Sequence, residues 1–247
     1  MASVTLLSTK GLSRHFGGLR AVDDVHFEIS AGEIHALIGP NGAGKTTFVS
    51  LLSGRIEPTA GSISFMGEDI TGDAAYQRVR KGIAYTFQIT SIFPRLSVFD
   101  NVALAAQNTL QRRAGWLGWK SVDLARHALS ALEKVGLADR ADAKAGTLAY
   151  GHQRLLEVAM GLALAPKLMI LDEPTQGLSD GEIDRFCHLV EAISKDTTIL
   201  LIEHNMAVVM RLAQRITVLN GGRLLATGAP EDIRANAQVQ AAYLGGS

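Results

Sequence analysis

The run Gly-Pro-Asn-Gly-Ala-Gly-Lys-Thr at residues 39–46 constrains the fold of this chain more than any other feature. It fits the spacing G-x-x-x-x-G-K-[ST] of a phosphate-binding loop, whose glycines let backbone N–H groups surround a phosphate chain. Such a loop needs a strand before it and a helix after it, and residues 34–38 and 45–52 predict these two elements. The alternative is a glycine-rich turn before an ordinary helix; the motif and its flanks together favour a nucleotide site.

The last two residues of this loop carry the predicted chemistry. Lys45 can reach the outer phosphates of a nucleotide, and the Thr46 hydroxyl can bind Mg²⁺. The following helix begins at the same place and adds the positive end of its dipole.

Composition limits where such a protein works. A chain of 247 residues that is 47% hydrophobic can bury a sizeable core, and it is long for one domain but short for two. Its 24 basic and 24 acidic residues cancel, so no overall attraction to nucleic acid or anionic lipid is expected. The chain shows no secretory signal and no run near 18 uncharged apolar residues. We therefore expect a soluble cytoplasmic protein whose membrane role comes through a partner.

Hydrophobic patterns predict alternating strands and helices at both ends of the chain and mostly helix between them. We expect a single domain over residues 1–247, with a core of about 1–88 and 165–247 and a helical subdomain at about 89–164. Two continuously apolar runs, 168–171 and 199–202, are typical of central parallel strands. Predicted strands are 25–29, 34–38, 62–65, 83–87, 168–171, 198–202, 216–219 and 224–226; predicted helices are 45–52, 73–80, 98–106, 122–135, 153–164, 180–193 and 206–212.

Two carboxylates, Asp172 and Glu173, directly follow one of these apolar strands. Ligands of open parallel sheets gather at the carboxyl ends of the strands. Asp172 can therefore hold Mg²⁺ through water, and Glu173 can polarise a water that attacks the γ-phosphate. The alternative is a strand that ends in two solvated acids.

Gln88 and His204 each follow another predicted strand. Alone, either residue says little, because polar residues at strand ends are commonly structural. Beside a triphosphate, Gln88 can contact Mg²⁺ and the attacking water, and His204 can donate a hydrogen bond to the γ-phosphate.

The order of these motifs resembles the ATP-binding-cassette (ABC) ATPases. Between Gln88 and Asp172 lies the run Leu-Ala-Tyr-Gly-His-Gln-Arg at 148–154, which resembles the signature motif of that superfamily. Within the superfamily the chain is most similar to the ATPase subunits of branched-chain amino acid importers, and the similarity covers residues 6–245. Four segments carry it: Phe-Gly-Gly-Leu-Arg-Ala-Val at 16–22, Tyr-Gly at 150–151, Leu-Ile-Glu-His-Asn-Met at 201–206 and Val-Gln-Ala-Ala-Tyr-Leu-Gly at 239–245.

This resemblance implies an α/β fold: a P-loop NTPase core with a mainly parallel sheet, an N-terminal antiparallel β part and a helical insertion. It implies ATP and Mg²⁺ as ligands, with ATP held between two cassettes arranged head to tail. The second cassette is expected to be a related chain, although a second copy of this chain remains an alternative. The other implied partners are transmembrane permease subunits and, indirectly, a periplasmic solute-binding protein, with the chain peripheral on the inner face of the membrane and no nucleic acid bound.

The resemblance also assigns roles to individual residues. Phe16 matches the aromatic that stacks on adenine, against the alternative of a core phenylalanine. Glu173, His204 and Gln88 are the expected catalytic residues, and Thr46, Gln88 and Asp172 the expected metal contacts. The expected nucleotide contacts are Phe16, Gly39, Asn41, Gly42, Ala43, Gly44, Lys45, Thr46 and Thr47, with Leu148, Ala149, Tyr150, Gly151 and His152 facing the nucleotide of the partner cassette.

Three positions depart from the family pattern. The signature has Ala149 where serine is usual and His152 where glutamine is usual, and Ser179 stands where many members have aspartate. Loss of one hydrogen bond to a charged group costs about 1.5–3 kcal/mol. We therefore expect one ATP site to be slowed rather than abolished. Residues 92–99, which hold Phe93 and Phe99, are the expected contact with a permease.

Other functions stay open at this point. An ATPase for lipid or lipopolysaccharide export would differ mainly in its partner. Soluble ABC proteins of DNA repair or ribosomes usually carry long coiled coils or two cassettes, and this chain shows neither. A cassette that only regulates is disfavoured by the intact Lys45, Asp172, Glu173 and His204.

Overall fold

A computed structural model describes residues 4–86, 91–114 and 121–244. The chain divides into two compact units, residues 1–78 with 194–247 and residues 79–193. The elements, in chain order, are β1 (Thr5–Phe16), β2 (Leu19–Ser30), β3 (Ile34–Ile38), α1 (Lys45–Leu52), β4 (Ala60–Phe65), β5 (Glu68–Asp69), α2 (Ala75–Lys81), β6 (Ile83–Thr86), α3 (Val98–Ala114), α4 (Ser121–Lys134), α5 (Tyr150–Ala163), β7 (Leu168–Asp172), α6 (Asp180–Ile193), β8 (Thr198–Ile202), α7 (Met206–Leu212), β9 (Arg215–Asn220), β10 (Arg223–Gly228), α8 (Pro230–Ala235) and α9 (Ala237–Leu244).

The first unit contains an antiparallel sheet and a parallel one. The antiparallel sheet has the order β2-β1-β4-β5. In the parallel sheet β3 lies between β8 and β9, with Leu37 opposite Ile202 and Ile38 opposite Val218. All five residues of β3 are buried, as expected for a strand covered on both faces. Helices α7, α8 and α9 close this core through Val209, Ile233 and Val239.

The second unit is mainly helical. Its strands β6 and β7 pair in parallel, with Thr86 opposite Leu171. Helices α3, α4 and α5 pack on one another. Their apolar faces are buried, and these faces include Val102 of α3, Leu132 of α4 and Leu156 of α5. This unit is wider than the predicted helical part because it also takes in β6, β7 and α6.

This architecture confirms the predicted α/β class, with an antiparallel and a parallel sheet. Strand β1 was not predicted, because its burial does not alternate regularly and its pairing with β2 shifts register repeatedly. Helices α8 and α9 were not predicted either, and α3 continues past the predicted end at residue 106. Among the described residues, no helix is long and apolar enough to cross a membrane.

Candidate nucleotide site

The phosphate loop begins where β3 ends, and close backbone contacts require glycine as its first residue. A Cβ on Gly39 would lie 2.2 Å from the carbonyl oxygen of Leu219, next to the turn between β9 and β10. Nothing larger than glycine fits there. The loop is thus seated against the β9 end of the sheet.

The end of the loop is held in the same way. Gly44 precedes α1 at φ 98°, a backbone conformation that favours glycine, and its Cβ would lie 2.3 Å from the carbonyl oxygen of Ala21. Between these two points the Ala43 carbonyl accepts a hydrogen bond from the N–H of Gly222 at 3.0 Å. Backbone contacts therefore fix both ends of the loop, while Gly42 and Asn41 are exposed.

Lys45 folds back over this loop. Its Nζ donates to the carbonyl oxygen of Gly39 at 2.6 Å and to that of Pro40 at 3.1 Å. Helix α1 has no acidic residue in its first turn, and Thr46 is exposed there. The positive end of the helix and the ammonium group thus lie close together, as an anion site requires.

The C-terminal helix also reaches the phosphate loop. Burial raises the pKa of the Tyr243 phenol of α9, and the nearby backbone of Gly39 acts to lower it. The sequence pointed to Tyr243 only as part of the family resemblance. Its apolar surroundings in 239–244 gave no sign of a contact with the loop.

His204 leaves the sheet at the same edge as the loop, because β8 lies parallel to β3. The preceding Glu203 is 1% exposed, and its Oε2 accepts hydrogen bonds from the backbone N–H groups of His204 and Asn205 at 3.1 and 3.2 Å. Asn205 in turn caps α7 by accepting from the N–H groups of Ala207 and Val208. Glu203 and Asn205 were missed, although an asparagine before a predicted helix start is a capping signal.

Phe16 lies at the end of β1, on the surface. Its ring is 46% exposed, and the Arg14 guanidinium lies 4.7 Å from the ring centroid. This exposure rules out the alternative of a core phenylalanine.

In the second unit, Asp172 ends β7 and is 4% exposed. The Tyr85 hydroxyl donates to its Oδ2 at 2.6 Å. Tyr85 was not singled out from the sequence, but the pairing of β6 with β7 brings it beside Asp172. Gln88, predicted to act here, lies outside the described residues.

Glu173 has an unusual backbone conformation. Its φ is 47°, in the left-handed region that non-glycine residues seldom occupy. Strain of this kind costs about 1–3 kcal/mol and clusters at functional sites. The loop that follows turns back, with the N–H of Gln176 donating to the Glu173 carbonyl at 3.2 Å.

The signature residues begin helix α5. Ala149 precedes the helix, and no side chain of the described residues caps it; the first turn carries no acidic residue. Tyr150 is 43% exposed, whereas a Cβ on Gly151 would lie 2.3 Å from Oε1 of Glu182. His152 is half-buried, and its Nδ1 has no hydrogen-bond partner among the described residues. The start of α5 therefore has no side-chain cap among the described residues, a condition that suits the binding of an anion.

A buried ion pair supports this helix start. Arg154 Nη1 donates to Oε2 of Glu157 at 2.9 Å, and the two side chains are 3% and 6% exposed. Arg154 also lies 5.4 Å from the Tyr150 ring centroid. The Glu157 Oε1 accepts from the N–H of Ser91, so one carboxylate joins α5 to the segment that follows Gln88. Burial raises the pKa of Glu157 although the Ser91 N–H and Arg154 both act to lower it.

Ser179 has a structural role at its unusual position. Its hydroxyl donates to Oε2 of Glu182 at 2.7 Å, and its N–H donates to the same oxygen at 2.9 Å. These hydrogen bonds lower the pKa of Glu182. Glu182 thus caps the N–H of Ser179 at the start of α6, as the acidic residue of a capping box does.

The predicted residues fall into two groups. The first unit brings together the phosphate loop and His204, and it carries Phe16. The second unit brings the loop after Asp172 against the signature, since a Cβ on Gly177 would lie 3.1 Å from Tyr150 Cε1. The described residues contain no group of three His, Cys, Asp or Glu side chains able to hold a metal ion. A carboxylate such as that of Asp172 fits Mg²⁺, which proteins usually bind through one or two carboxylates together with water and phosphate oxygens.

Comparison with known proteins identifies related families. Residues 22–176 match the family described as ABC transporter, and residues 223–247 match the family described as branched-chain amino acid ATP-binding cassette transporter. The chain is 41% identical to the high-affinity branched-chain amino acid transport ATP-binding protein LivG of Escherichia coli (strain K12), covering 98% of this chain and 99% of that protein. It is 39% identical to BraF of Pseudomonas aeruginosa, which carries the same description, covering 97% and 98%.

Solved structures show the same relationship. A nucleotide-free ATP-binding cassette from an ABC transporter superposes with a TM-score of 0.86 at 27% identity, covering 97% of this chain and 99% of its own. An ATP-binding cassette of an ABC transporter in its ADP conformation gives 0.87 at 26% identity, covering 98% and 100%.

Proposed function

Since the chain belongs to the ABC transporter family of ATP-binding cassettes, we propose that it is the ATP-hydrolysing subunit of an importer for branched-chain amino acids or a related small polar solute. The observation that carries this proposal is a pair of family matches, one to the ABC transporter family and one to the branched-chain amino acid family. The cassette family covers the phosphate loop, Asp172 and Glu173, and the branched-chain amino acid family covers the C-terminal segment that holds Tyr243. The relatives favour import over lipid export and over a role on DNA or ribosomes.

The phosphate loop performs the binding step. Lys45 places its charge beside the outer phosphates, and the loop N–H groups and the α1 dipole meet the remaining negative charge. The exposed ring of Phe16 stacks on the adenine. Because backbone contacts already fix the loop, little of its conformational freedom remains to be lost on binding.

Further residues are assigned to the hydrolytic step. Thr46 through its hydroxyl, Asp172 through water and Gln88 would hold Mg²⁺, and the ion would supply positive charge against the phosphates. Glu173 accepts a proton from the attacking water, and His204 donates a hydrogen bond to the γ-phosphate.

The signature acts on a second nucleotide. The uncapped start of α5 faces the γ-phosphate held by a partner cassette, a related chain or a second copy. Ala149 offers no hydroxyl there, and His152 supplies a donor in its place. Two cassettes close over ATP and open after hydrolysis, so that nucleotide shifts the balance between two states of the attached permease.

The permease contact is proposed at residues 92–99. Phe93 is 52% exposed, and the fully buried Asn101 holds the turn below it. The Asn101 Oδ1 accepts from the Phe93 N–H at 2.7 Å, while its Nδ2 donates to the carbonyl oxygens of Phe93 and Ser97. A rigid turn that presents an aromatic side chain to solvent suits a protein interface on the cytoplasmic face of the membrane.

Substitution of the proposed base tests the enzymatic assignment. We expect Glu173→Gln to bind ATP with unchanged affinity and to hydrolyse it at least a hundredfold more slowly, because general-base catalysis contributes about 10²–10⁴ in rate. Glu231→Gln, an exposed carboxylate of α8, is the matched control and should keep wild-type turnover. Full turnover by Glu173→Gln would refute the assignment.

Assembly tests the transport assignment. Phe93→Ala should reduce co-purification with co-expressed permease subunits and leave nucleotide binding intact. Met66→Ala removes an apolar side chain of similar exposure, 56%, outside the proposed interface and should change neither. Uptake of labelled leucine, isoleucine and valine by vesicles that hold the assembled complex then identifies the solute class. If Phe93→Ala recovers as much permease as wild type does, this surface is not the permease contact.

A further inference from the structure

Tyr85 reaches Asp172 across two paired strands. In the register of β6 and β7, Tyr85 lies opposite Ile170, and Asp172 lies two residues further along β7 on the same face. The phenol therefore reaches from β6 to the neighbouring strand β7, and its hydroxyl donates to Oδ2 of Asp172 at 2.6 Å.

This contact is both short and buried. Hydrogen bonds between a hydroxyl and a carboxylate fall at about 2.5–2.7 Å and are roughly twice as strong as neutral ones. Asp172 is 4% exposed, so protein groups must replace much of the water around its charge. The bond engages one carboxylate oxygen and restricts the rotation of the carboxylate.

The ring of Tyr85 is less tightly confined than its hydroxyl. It lines a cavity of about 150 Å³, together with Glu157, Ser91 and neighbouring apolar residues. Because the ring borders open space, packing alone does not determine its position. The hydrogen bond to Asp172 fixes the ring and the carboxylate together.

We propose that Tyr85 is the positioning residue of the magnesium site: its hydroxyl holds the Asp172 carboxylate in the orientation that accepts a hydrogen bond from magnesium-bound water. This inference rests on the proposed function of Asp172. Groups that hydrogen-bond a metal-site carboxylate orient it, and their loss lowers metal affinity or activity by about 10–100-fold.

The test is a Mg²⁺ titration of nucleotide binding by the full chain, followed by the anisotropy of a fluorescent ATP analogue. Tyr85→Phe should raise the Mg²⁺ concentration at half-saturation at least about tenfold. Its affinity for the analogue in EDTA should equal that of wild type. Thr86→Val is the matched control: it removes the adjacent hydroxyl, which donates to the Ile170 carbonyl of the same strand at 3.3 Å but does not reach the carboxylate. This variant should titrate as wild type does.

Three results would overturn the inference: a Tyr85→Phe titration within twofold of wild type, an equal loss of affinity with and without Mg²⁺, or an equal shift in Thr86→Val. If Tyr85→Phe does not fold, Tyr85→His provides the same test: its shorter ring brings no nitrogen to the position of the phenol oxygen, so the same shift of at least about tenfold is expected. A Tyr85→His titration within twofold of wild type would then count against the inference. Nucleotide binding by the wild type that does not depend on Mg²⁺ would instead refute the proposed role of Asp172 in a magnesium site.

Discussion

The phosphate loop of the first unit and the signature region of the second are stabilised by different kinds of contact. Backbone atoms hold the loop: Gly39 and Gly44 pass within contact distance of neighbouring carbonyls, and the Ala43 carbonyl accepts a backbone hydrogen bond. Buried charged side chains hold the signature helix, through the Arg154–Glu157 pair. Adding a Cβ should therefore disrupt the phosphate loop. Leaving one charge of the buried pair without its partner should destabilise the signature helix.

The largest expected effect comes from Gly39→Ala. The added Cβ would lie 2.2 Å from the Leu219 carbonyl oxygen, and backbone cannot move aside as a flexible side chain can. We expect loss of measurable binding in a titration with a fluorescent ATP analogue. Gly72→Ala, whose Cβ would meet none of the described residues within 4 Å, is the control in the same unit and should bind normally. Binding by Gly39→Ala within threefold of wild type would show that backbone contacts do not define the loop.

The second prediction concerns the buried pair of the signature helix. Arg154→Met leaves the Glu157 carboxylate buried without its cation, which typically costs about 3–5 kcal/mol. The double variant Arg154→Met/Glu157→Leu removes both charges and should recover most of that loss. Urea unfolding monitored by circular dichroism measures both. Equal stability of the single and double variants would show that charge pairing does not stabilise this region.

The third prediction follows from the raised pKa of Glu157. Above the ordinary glutamate pKa of 4.5, the unfolded chain releases this proton while the folded protein still holds it. The contribution of Glu157 to stability therefore falls as the pH rises from 4.5 through the raised pKa, by at most about 1.4 kcal/mol per pH unit. We expect the difference in the free energy of unfolding between wild type and Glu157→Gln to change over this window. A difference that is independent of pH would contradict the raised pKa.

The smallest expected effect is in the first unit, where a side chain adds to the backbone scaffold. Asn205→Ala removes the cap of α7 and should cost about 0.5–2 kcal/mol, observed as a lower midpoint of thermal unfolding. Asn205→Asp keeps a capping oxygen and should unfold at nearly the wild-type temperature. If the aspartate variant is as unstable as the alanine variant, the cap is not the source of the effect.

The same difference decides how much could be predicted from the sequence. The phosphate loop was predictable because its glycines, lysine and flanking elements are adjacent in the chain. The parallel strands were predictable because residues covered on both faces are apolar without interruption. Strand β1 was missed because its bulges interrupt the alternation that identifies an exposed antiparallel strand.

Contacts between distant positions were not predictable. Tyr85 and Asp172 are separated by 87 positions, and Ser91 and Glu157 by 66. Each pair meets only because strands or helices pack together, and the residue types alone give no sign of the partner. The unusual φ of Glu173 is likewise a property of the folded loop, since sequence rules expect glycine in that region.

The left-handed backbone of Glu173 has a consequence for engineering. Glycine would relax that conformation, so a screen for heat resistance alone would reward Glu173→Gly while eliminating the proposed proton acceptor. A selection for thermostable forms of this protein should therefore also require ATP hydrolysis.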